Sequence, residues 1–311
     1  MKQFINNGGK KSEPIKLCRK YSRIFSSEII TERKQVQNRD RNVLIDLTAV
    51  PLHIIYTRKK SKMKKFRNIT VLGAGSAIAG EIIRILAADG AEKFSLISRS
   101  EQTNLSRIRD IKSREPSLHC SSIVASGTEI TADLMGKMDP QTDLLLIAVG
   151  RLTDSTVQDP RELETTMRVN FIYPALFMNE YIRSVYIRNS CRHNLTIAVI
   201  GSVAGCRARA SNYCYGAGKA AVSEFAEGLN AFCSQQKLNI GIRIIRPGLV
   251  ATPMISNRKD RRLVAEPAAV ARTIVSGLKK DRRIIYCPWY WRWIMLAVKI
   301  MPYRLFKKIK S

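Results

Sequence analysis

A tyrosine and a lysine four residues apart are the strongest chemical signal in this chain. Tyr215 and Lys219 stand one helical turn apart and so share a helix face, and Ser202 precedes the tyrosine by 13 residues. An ammonium beside a phenol favours the phenolate, which predicts a lowered tyrosine pKa. Such a phenol can exchange a proton with a carbonyl or an alcohol. The spacing therefore predicts an acid/base pair for carbonyl chemistry.

The surrounding elements distinguish this pair from two other Tyr-x-x-x-Lys strings, at 56–60 and 303–307, which lie in basic tracts. The predicted strands are Ile69–Leu72, Lys93–Ser98, Leu118–Val124, Leu144–Val149, Leu195–Ile200 and Ile240–Ile245. The predicted helices are Ala77–Ala88, Glu162–Tyr186 and Tyr213–Gln235. Strands that alternate with helices predict an α/β fold, a doubly wound parallel sheet of the Rossmann type in a single domain.

A glycine-rich turn joins the first predicted strand to the first predicted helix. Its sequence is Gly73-Ala74-Gly75-Ser76-Ala77-Ile78-Ala79-Gly80. Backbone N–H groups in such a turn, together with the helix N-terminus, suit a pyrophosphate. Because turns of this kind also occur for purely structural reasons, the turn alone leaves both interpretations open.

Taken in order, these motifs resemble the short-chain dehydrogenase/reductase family over about Asn68 to Pro288. The turn is similar to the family's T-G-x-x-x-G-x-G motif, with Leu72 in place of Thr and alanines in place of two glycines. The family's Asn-Asn-Ala-Gly motif corresponds to Ile147-Ala148-Val149-Gly150, which lacks both asparagines. The remaining matches are Asn170, Ser202 in Gly201–Gly205, Tyr215 with Lys219, Pro247-Gly248 and Thr252.

The resemblance implies an NAD(P)-dependent oxidoreductase and a role for each matching residue. Tyr215 would protonate the substrate oxygen, Ser202 would stabilise the developing alkoxide, and Lys219 would lower the tyrosine pKa and hold the nicotinamide ribose. Asn170 would position a water that relays protons to Lys219. Taken alone, Asn170 also fits a helix kink or cap, and Ser202 a turn hydroxyl. The implied cofactor contacts are Gly73, Gly75, Ser76, Ala77, Ile78, Gly150, Tyr215, Lys219, Pro247 and Val250.

The end of the second predicted strand bears on the choice of cofactor. A carboxylate there suits a free ribose 2′-hydroxyl, whereas an arginine suits a 2′-phosphate. Arg99 occupies the position, and the first acid is Glu101. This predicts NADP, with NAD as the alternative if Arg99 stacks on adenine instead.

A narrower resemblance concerns the substrate. The segment Ser202–Gly216 and the ending Pro302–Lys307 resemble reductases of a polyprenyl-phosphate-linked 2-keto-pentose, the decaprenylphosphoryl-2-keto-pentose reductase type of cell-envelope biosynthesis. The resemblance implies a lipid-phosphate-linked keto-sugar as substrate. Arg207 and Arg209 would meet the lipid phosphate as charge-assisted partners, or they are simply solvated charges.

Composition divides the 311 residues into three predicted parts, 1–62, 63–287 and 288–311. Residues 1–62 carry 15 Lys and Arg against 5 Asp and Glu, which predicts a disordered basic arm or an over-long reading frame that starts before the true Met63. The catalytic domain follows, and then an amphipathic tail with aromatic, aliphatic and basic residues. The tail fits the inner face of the cell membrane, a helix that closes the substrate pocket, or an oligomer interface.

The net charge of +28 suits any polyanion, from a nucleic acid to an anionic membrane surface. No aromatic-basic nucleic-acid motif is visible in the sheet region, so we expect no nucleic acid partner. The amphipathic tail favours a cytoplasmic protein at the inner face of the cell membrane. Seven scattered Cys and three separated His predict reduced thiols and no metal site. The sequence is compatible with a homo-oligomer.

Two rival functions stay open at this point. One is a reductase of soluble ketones or 3-oxoacyl groups on the same fold. The other is a non-catalytic Rossmann-type module that binds through its basic surface, against which the intact Tyr215 and Lys219 pair argues.

Overall fold

The computed structural model describes residues 63–308 except 128, 154–158, 190, 192 and 256–262. The predictions for residues 1–62 lie outside the described residues. Seven parallel strands form the main sheet: β1 Asn68–Leu72, β2 Lys93–Ser98, β3 His119–Val124, β4 Leu144–Ile147, β5 Leu195–Ile200, β6 Ile240–Pro247 and β9 Ile284–Cys287. A separate parallel pair consists of β7 Leu249–Val250 and β8 Val264–Ala265.

Helices connect the strands. The α-helices are α1 Ala77–Ala88, α2 Glu101–Lys112, α3 Ala132–Gly136, α4 Pro160–Met167, α5 Tyr173–Glu180, α6 Tyr213–Gln235, α7 Pro267–Lys279, α8 Trp291–Ile300 and α9 Tyr303–Phe306. π-helical turns span Arg168–Ile172 and Tyr181–Ile187, and 3₁₀ turns span Val203–Gly205, Ala210–Asn212 and Pro253–Ile255.

The strand order β3-β2-β1-β4-β5-β6-β9 is that of a doubly wound sheet, which confirms the predicted fold class. Alternate side chains of each strand enter opposite faces of the sheet. In β4, Leu144 and Leu146 join a core with α1, α2 and α7, whereas Leu145 and Ile147 join a second core with α3, α5 and α6. The strand order reverses between β1 and β4, so a crevice opens at their carboxyl ends.

Several predicted boundaries need correction. β4 ends at Ile147 rather than Val149, because Ala148–Gly150 leave the sheet to border the crevice. The predicted helix Glu162–Tyr186 is two α-helices that each continue into a π-helical turn. β6 extends to Pro247 because it pairs with β9, a strand that the sequence analysis did not predict.

Candidate active site

One pocket of about 1020 Å³ lies along the carboxyl ends of the strands. It is lined by every residue predicted to contact the cofactor: Gly73, Gly75, Ser76, Ala77, Ile78, Arg99, Gly150, Tyr215, Lys219, Pro247 and Val250. Ser202 lines it as well. Asn170 is not among the lining residues and is completely buried behind them. The fold therefore collects residues from the ends of five strands and from α6 into one crevice.

The glycine-rich turn is fixed at one end of the pocket by close packing. Gly73 has a φ of +90°, and a β-carbon there would approach the Ala148 carbonyl carbon to 2.9 Å. Both observations require glycine. The Ser76 hydroxyl accepts a hydrogen bond from the Ala79 N–H at 3.4 Å and so caps α1. The N-terminus of this 12-residue helix faces the pocket, as a pyrophosphate site requires.

Arg107 on α2 supports this turn, a role that the sequence analysis missed. Its guanidinium donates to the carbonyl oxygens of Ala74 at 3.2 Å and Ser76 at 3.4 Å. A β-carbon at Gly80 would overlap that guanidinium. No local sequence pattern pairs Gly80 with an arginine 27 residues later, so only the packing of α1 on α2 reveals the contact.

Ser202 and Tyr215 form the reactive pair at the other end of the pocket. Ser202 begins the 3₁₀ turn Val203–Gly205, and its hydroxyl oxygen accepts the Ala204 N–H at 3.1 Å. The same hydroxyl hydrogen-bonds the Tyr215 phenol. That hydrogen bond lowers the pKa of Tyr215, but burial raises it by more, so the pKa lies above that of a free tyrosine. The phenol is therefore protonated at neutral pH.

The raised pKa of Tyr215 is the opposite of the lowered pKa that its spacing to Lys219 predicted. The Lys219 ammonium donates to the carbonyl oxygens of Val149 and Ile200, each at 2.9 Å, and lies 6.0 Å from the centre of the Tyr215 ring. Its side chain is 3% exposed, and burial lowers the pKa of Lys219 to about 8. The ammonium is aimed at the ends of β4 and β5 rather than at the phenol. Desolvation therefore decides the pKa of both groups.

Asn170 lies on the π-helical turn Arg168–Ile172 and holds the backbone of the segment that follows β4. Its Nδ2 donates to the carbonyl oxygens of Arg151 at 2.8 Å and Thr166 at 2.9 Å, while its Oδ1 accepts the Arg151 N–H at 3.2 Å. A β-carbon at Gly218 would come within 2.9 Å of the Asn170 β-carbon, so glycine lets α6 pack closely on this turn. The side chain thus holds the segment after β4 in place. The predicted water relay to Lys219 stays a prediction.

The two arginines predicted near a lipid phosphate have different environments. Arg209 lines the pocket. Arg207 instead donates to the carbonyl oxygens of Val298 and, at 2.6 Å, Met301 at the end of α8, and its guanidinium lies 4.0 Å from the centre of the Phe306 ring. Arg207 therefore fastens the tail to the loop between Ser202 and Tyr215.

The pocket has polar groups to offer a ligand. Among the described residues, five buried side-chain atoms lack a hydrogen-bond partner, and three of them belong to pocket-lining residues: Tyr173 Oη, Asn212 Oδ1 and Trp291 Nε1. Burial raises the pKa of Tyr173 to about 12, so this phenol stays a neutral donor. With Arg99 at one end and the α1 N-terminus beside it, the lining fits a large, polar, anionic ligand such as a dinucleotide.

Comparison with known proteins agrees with this geometry. The family model described as short chain dehydrogenase matches residues 67–263. An uncharacterized oxidoreductase of Streptomyces coelicolor is 26% identical over 259 residues, which cover 78% of this chain and 96% of that protein. The chain therefore belongs to the short-chain dehydrogenase family, and the predicted NAD(P)-dependent oxidoreductase class is confirmed. The rival function of a non-catalytic Rossmann-type binding module is therefore wrong.

Solved structures support the same fold. A short chain dehydrogenase from Burkholderia cenocepacia in complex with NADP has a TM-score of 0.66 at 15% identity, with 80% of this chain and 100% of that chain covered. A 3-oxoacyl-acyl-carrier-protein reductase from Brucella melitensis in complex with NAD has a TM-score of 0.60 at 19% identity, with 71% and 95% covered. The narrower resemblance to keto-pentose reductases stays a prediction.

Proposed function

We propose that this enzyme reduces a keto group with NADPH, and that the hydrogen-bonded pair Ser202 and Tyr215 holds the keto oxygen. The observation that carries the proposal is the state of this pair. Both residues line the pocket, and the phenol keeps its proton at neutral pH because burial raises its pKa. A protonated phenol that shares a hydrogen bond with a serine is the arrangement that delivers a proton to a carbonyl oxygen.

The chain's residues divide the proton chemistry among them. A bound nicotinamide would supply the hydride to the carbonyl carbon. Tyr215 gives its proton to the oxygen as negative charge develops there, and the Ser202 hydroxyl stabilises that charge by a hydrogen bond. Lys219 carries a positive charge below its pKa of about 8, and that charge stabilises the phenolate that remains on Tyr215. Asn170 keeps the neighbouring backbone at Arg151 fixed throughout.

NADP is favoured over NAD by the charge at the far end of the pocket. Arg99 follows β2 directly and lines the pocket beside Ser100 and Gly127. The described lining residues include arginines but neither Asp nor Glu, so no carboxylate of the lining would repel a 2′-phosphate. The Burkholderia cenocepacia structure with NADP and the Brucella melitensis structure with NAD show that this fold accepts either cofactor.

Oxidation of NADPH and NADH in the presence of a panel of ketones and keto-sugars tests the proposal. We expect NADPH to be oxidised faster than NADH. Tyr215→Phe should lower kcat about 10²–10⁴-fold, the usual effect of losing a general acid, while NADPH still binds. Tyr213→Phe is the matched control, since Tyr213 lies two residues earlier on α6 and is 44% exposed. Turnover of Tyr215→Phe near that of the unmodified enzyme would contradict the assignment.

We further propose a keto-sugar linked to a polyprenyl phosphate as the substrate. Of the two arginines first considered for the phosphate, Arg209 is the candidate because it lines the pocket, whereas Arg207 binds the end of α8. Reduction of soluble ketones or 3-oxoacyl groups is the rival. A phosphate beside Arg209 would add a charge-assisted contact that these substrates lack.

The exposed residues of the tail favour a location of the enzyme at an anionic membrane surface. Its exposed side chains include Trp289, Trp293, Leu296, Ile300 and Tyr303. Basic residues stand among and after them: Arg292, Lys299, Arg304, Lys307 and Lys308. Aromatic side chains prefer the bilayer interface, and basic side chains bind anionic headgroups. Within the described part of the chain, none of the helices combines the length and apolar character that crossing a bilayer needs.

A further inference from the structure

The first residue of α8 reaches the catalytic end of the pocket. Trp291 is only 6% exposed and packs with Val203 and Met295 in a small apolar cluster. Val203 directly follows Ser202, and Trp291 lines the same pocket as Ser202 and Gly248. A β-carbon at Gly248 would overlap the indole nitrogen, so the ring lies directly on this backbone. The tail thus contributes a wall of the site.

The indole nitrogen of Trp291 has no hydrogen-bond partner among the described residues. An indole N–H can only donate, so its missing partner must be an acceptor. A buried donor without a partner is costly, and native structures leave few of them. The adjacent cluster is largely apolar, with Cys206, Leu249 and Tyr290 packed around it, and the hydroxyl of its Tyr286 pairs with Arg246. A ligand in the pocket is therefore the natural source of the acceptor.

We propose that the Trp291 indole N–H donates a hydrogen bond to a substrate oxygen next to the keto group, and so selects hydroxylated ketones. The proposal rests on the proposed function, in which Ser202 and Tyr215 hold the keto oxygen. Because Trp291 packs on Val203, the residue after Ser202, the indole ring and that serine line the same end of the pocket. A hydroxyl on the adjacent carbon is the acceptor that a keto-sugar offers there.

The tail is held firmly enough to present this donor. Arg207 fastens the end of α8 through the carbonyl oxygens of Val298 and Met301, and Met295 is buried one turn after Trp291. The opposite face of α8 carries the exposed Trp293 and Leu296. One helix therefore has a buried face for the pocket and an exposed face, and the two can be altered separately.

Trp291→Phe keeps an aromatic ring but removes the N–H together with part of the indole, so the comparison of two ketones is needed to separate the lost hydrogen bond from the lost packing. We expect kcat/KM for NADPH-dependent reduction of 1,3,4-trihydroxybutan-2-one to fall about 3- to 10-fold, the usual range for one hydrogen bond. The value for butan-2-one, which lacks the hydroxyls, should fall less, and the Kd of NADPH should stay the same. Trp293→Phe is the matched control, because Trp293 is on the same helix but 58% exposed. Equal losses on both ketones, no loss on either, or weaker NADPH binding would overturn the proposal.

A binding measurement separates this proposal from the proposed function. The chain has three tryptophans, so ¹⁵N-tryptophan labelling gives three indole resonances, and Trp291→Phe identifies the one of interest. In the Tyr215→Phe background, trihydroxybutanone added to the NADPH-saturated protein should shift the Trp291 resonance, and butan-2-one should not. A resonance that moves with NADPH and no further with trihydroxybutanone would overturn the proposal. Failure of the proposed function would instead appear as wild-type protein without ketone reduction.

Discussion

At the scale of the residue, burial rather than pairwise charge sets the proton chemistry. Lys219 donates its hydrogen bonds to the carbonyl oxygens of Val149 and Ile200, and burial lowers the pKa of Lys219 to about 8. Desolvation also raises the pKa of Tyr215. Both groups are thereby shifted toward their neutral forms. The pair is arranged to donate a proton rather than to rest as a phenolate.

The pKa of Lys219 predicts how stability depends on pH. Below pH 8 the folded and the unfolded chain both hold the proton, and the buried ammonium destabilises the fold in full. Between pH 8 and 10.5, the ordinary pKa of a lysine, only the unfolded chain holds it, so the free energy of unfolding rises with pH. The rise is about 1.4 kcal/mol for each pH unit. Denaturant titrations from pH 7 to 10 should show it in the difference between the unmodified chain and Lys219→Met.

Subtracting the variant removes the other groups that titrate in this window, such as the cysteines. A difference between the two proteins that stays constant from pH 7 to 10 would contradict the lowered pKa of Lys219.

At the scale of the element, α8 has the two faces that two of the predicted roles of the tail require. One face buries Trp291 and Met295 against the Ser202 loop, and the other exposes Trp293, Leu296 and Ile300. The first face borders the pocket. The second face is exposed, and the basic residues around it suit contact with an anionic surface.

The exposed face predicts binding to anionic liposomes. Trp289 and Trp293 are 69% and 58% exposed, so replacing both with alanine should leave the pocket intact. Each buried aromatic contributes at most about 1.5–3 kcal/mol and each basic residue about 1 kcal/mol at an anionic surface. We expect the double variant to bind at least about tenfold more weakly in flotation assays, with turnover of butan-2-one unchanged. Phe232→Ala, which removes an exposed aromatic on α6, is the control.

If the unmodified protein does not float with anionic liposomes at low salt, the exposed face serves another purpose, and a soluble substrate becomes the better explanation. Equal losses for Phe232→Ala and the double variant would show that the tail has no special part in binding.

At the scale of the whole molecule, the residues just before β1 pack against the rest of the domain. Lys64 forms an ion pair with Asp281 at 2.7 Å, the Arg67 N–H donates to the Asp143 carboxylate at 2.8 Å, and Phe66 is 6% exposed. These contacts join the residues before β1 to the segments that precede β4 and β9. The segment 63–67 is therefore part of the packed domain.

A chain that starts at Met63 should fold and turn over substrate like the full chain. We expect its Tm to lie within about 4 °C of the full-length value, because a change of about 1 kcal/mol shifts Tm by about 2–4 °C in a domain of this size. A chain that starts at Asn68 is the matched control and should be less stable, since it loses the burial of Phe66, about 1.5–3 kcal/mol. Loss of activity on removing residues 1–62 would show that they take part in function.

Local patterns were enough to predict much of this protein. The alternation of apolar strands and helices predicts the doubly wound sheet, because each element's period reflects the face that it buries. The order of the glycine turn, Ser202, Tyr215 and Lys219 identifies the family, and these residues line one pocket. The strand that the sequence missed, β9, has too short an apolar segment to distinguish it from a loop, and its pairing with β6 defines it.

The tertiary structure decided what depends on contacts between distant segments. Desolvation comes from neighbours on other strands and helices, so the direction of the Tyr215 pKa could not be obtained from its spacing to Lys219. Arg107 under the glycine turn and Arg207 on the end of α8 each bind backbone carbonyls, which carry no signature in the sequence. The approach of Trp291 to Gly248 likewise follows only from how the tail folds back. The sequence by itself determined the chemistry available, and the packing of distant segments determined which groups face the pocket.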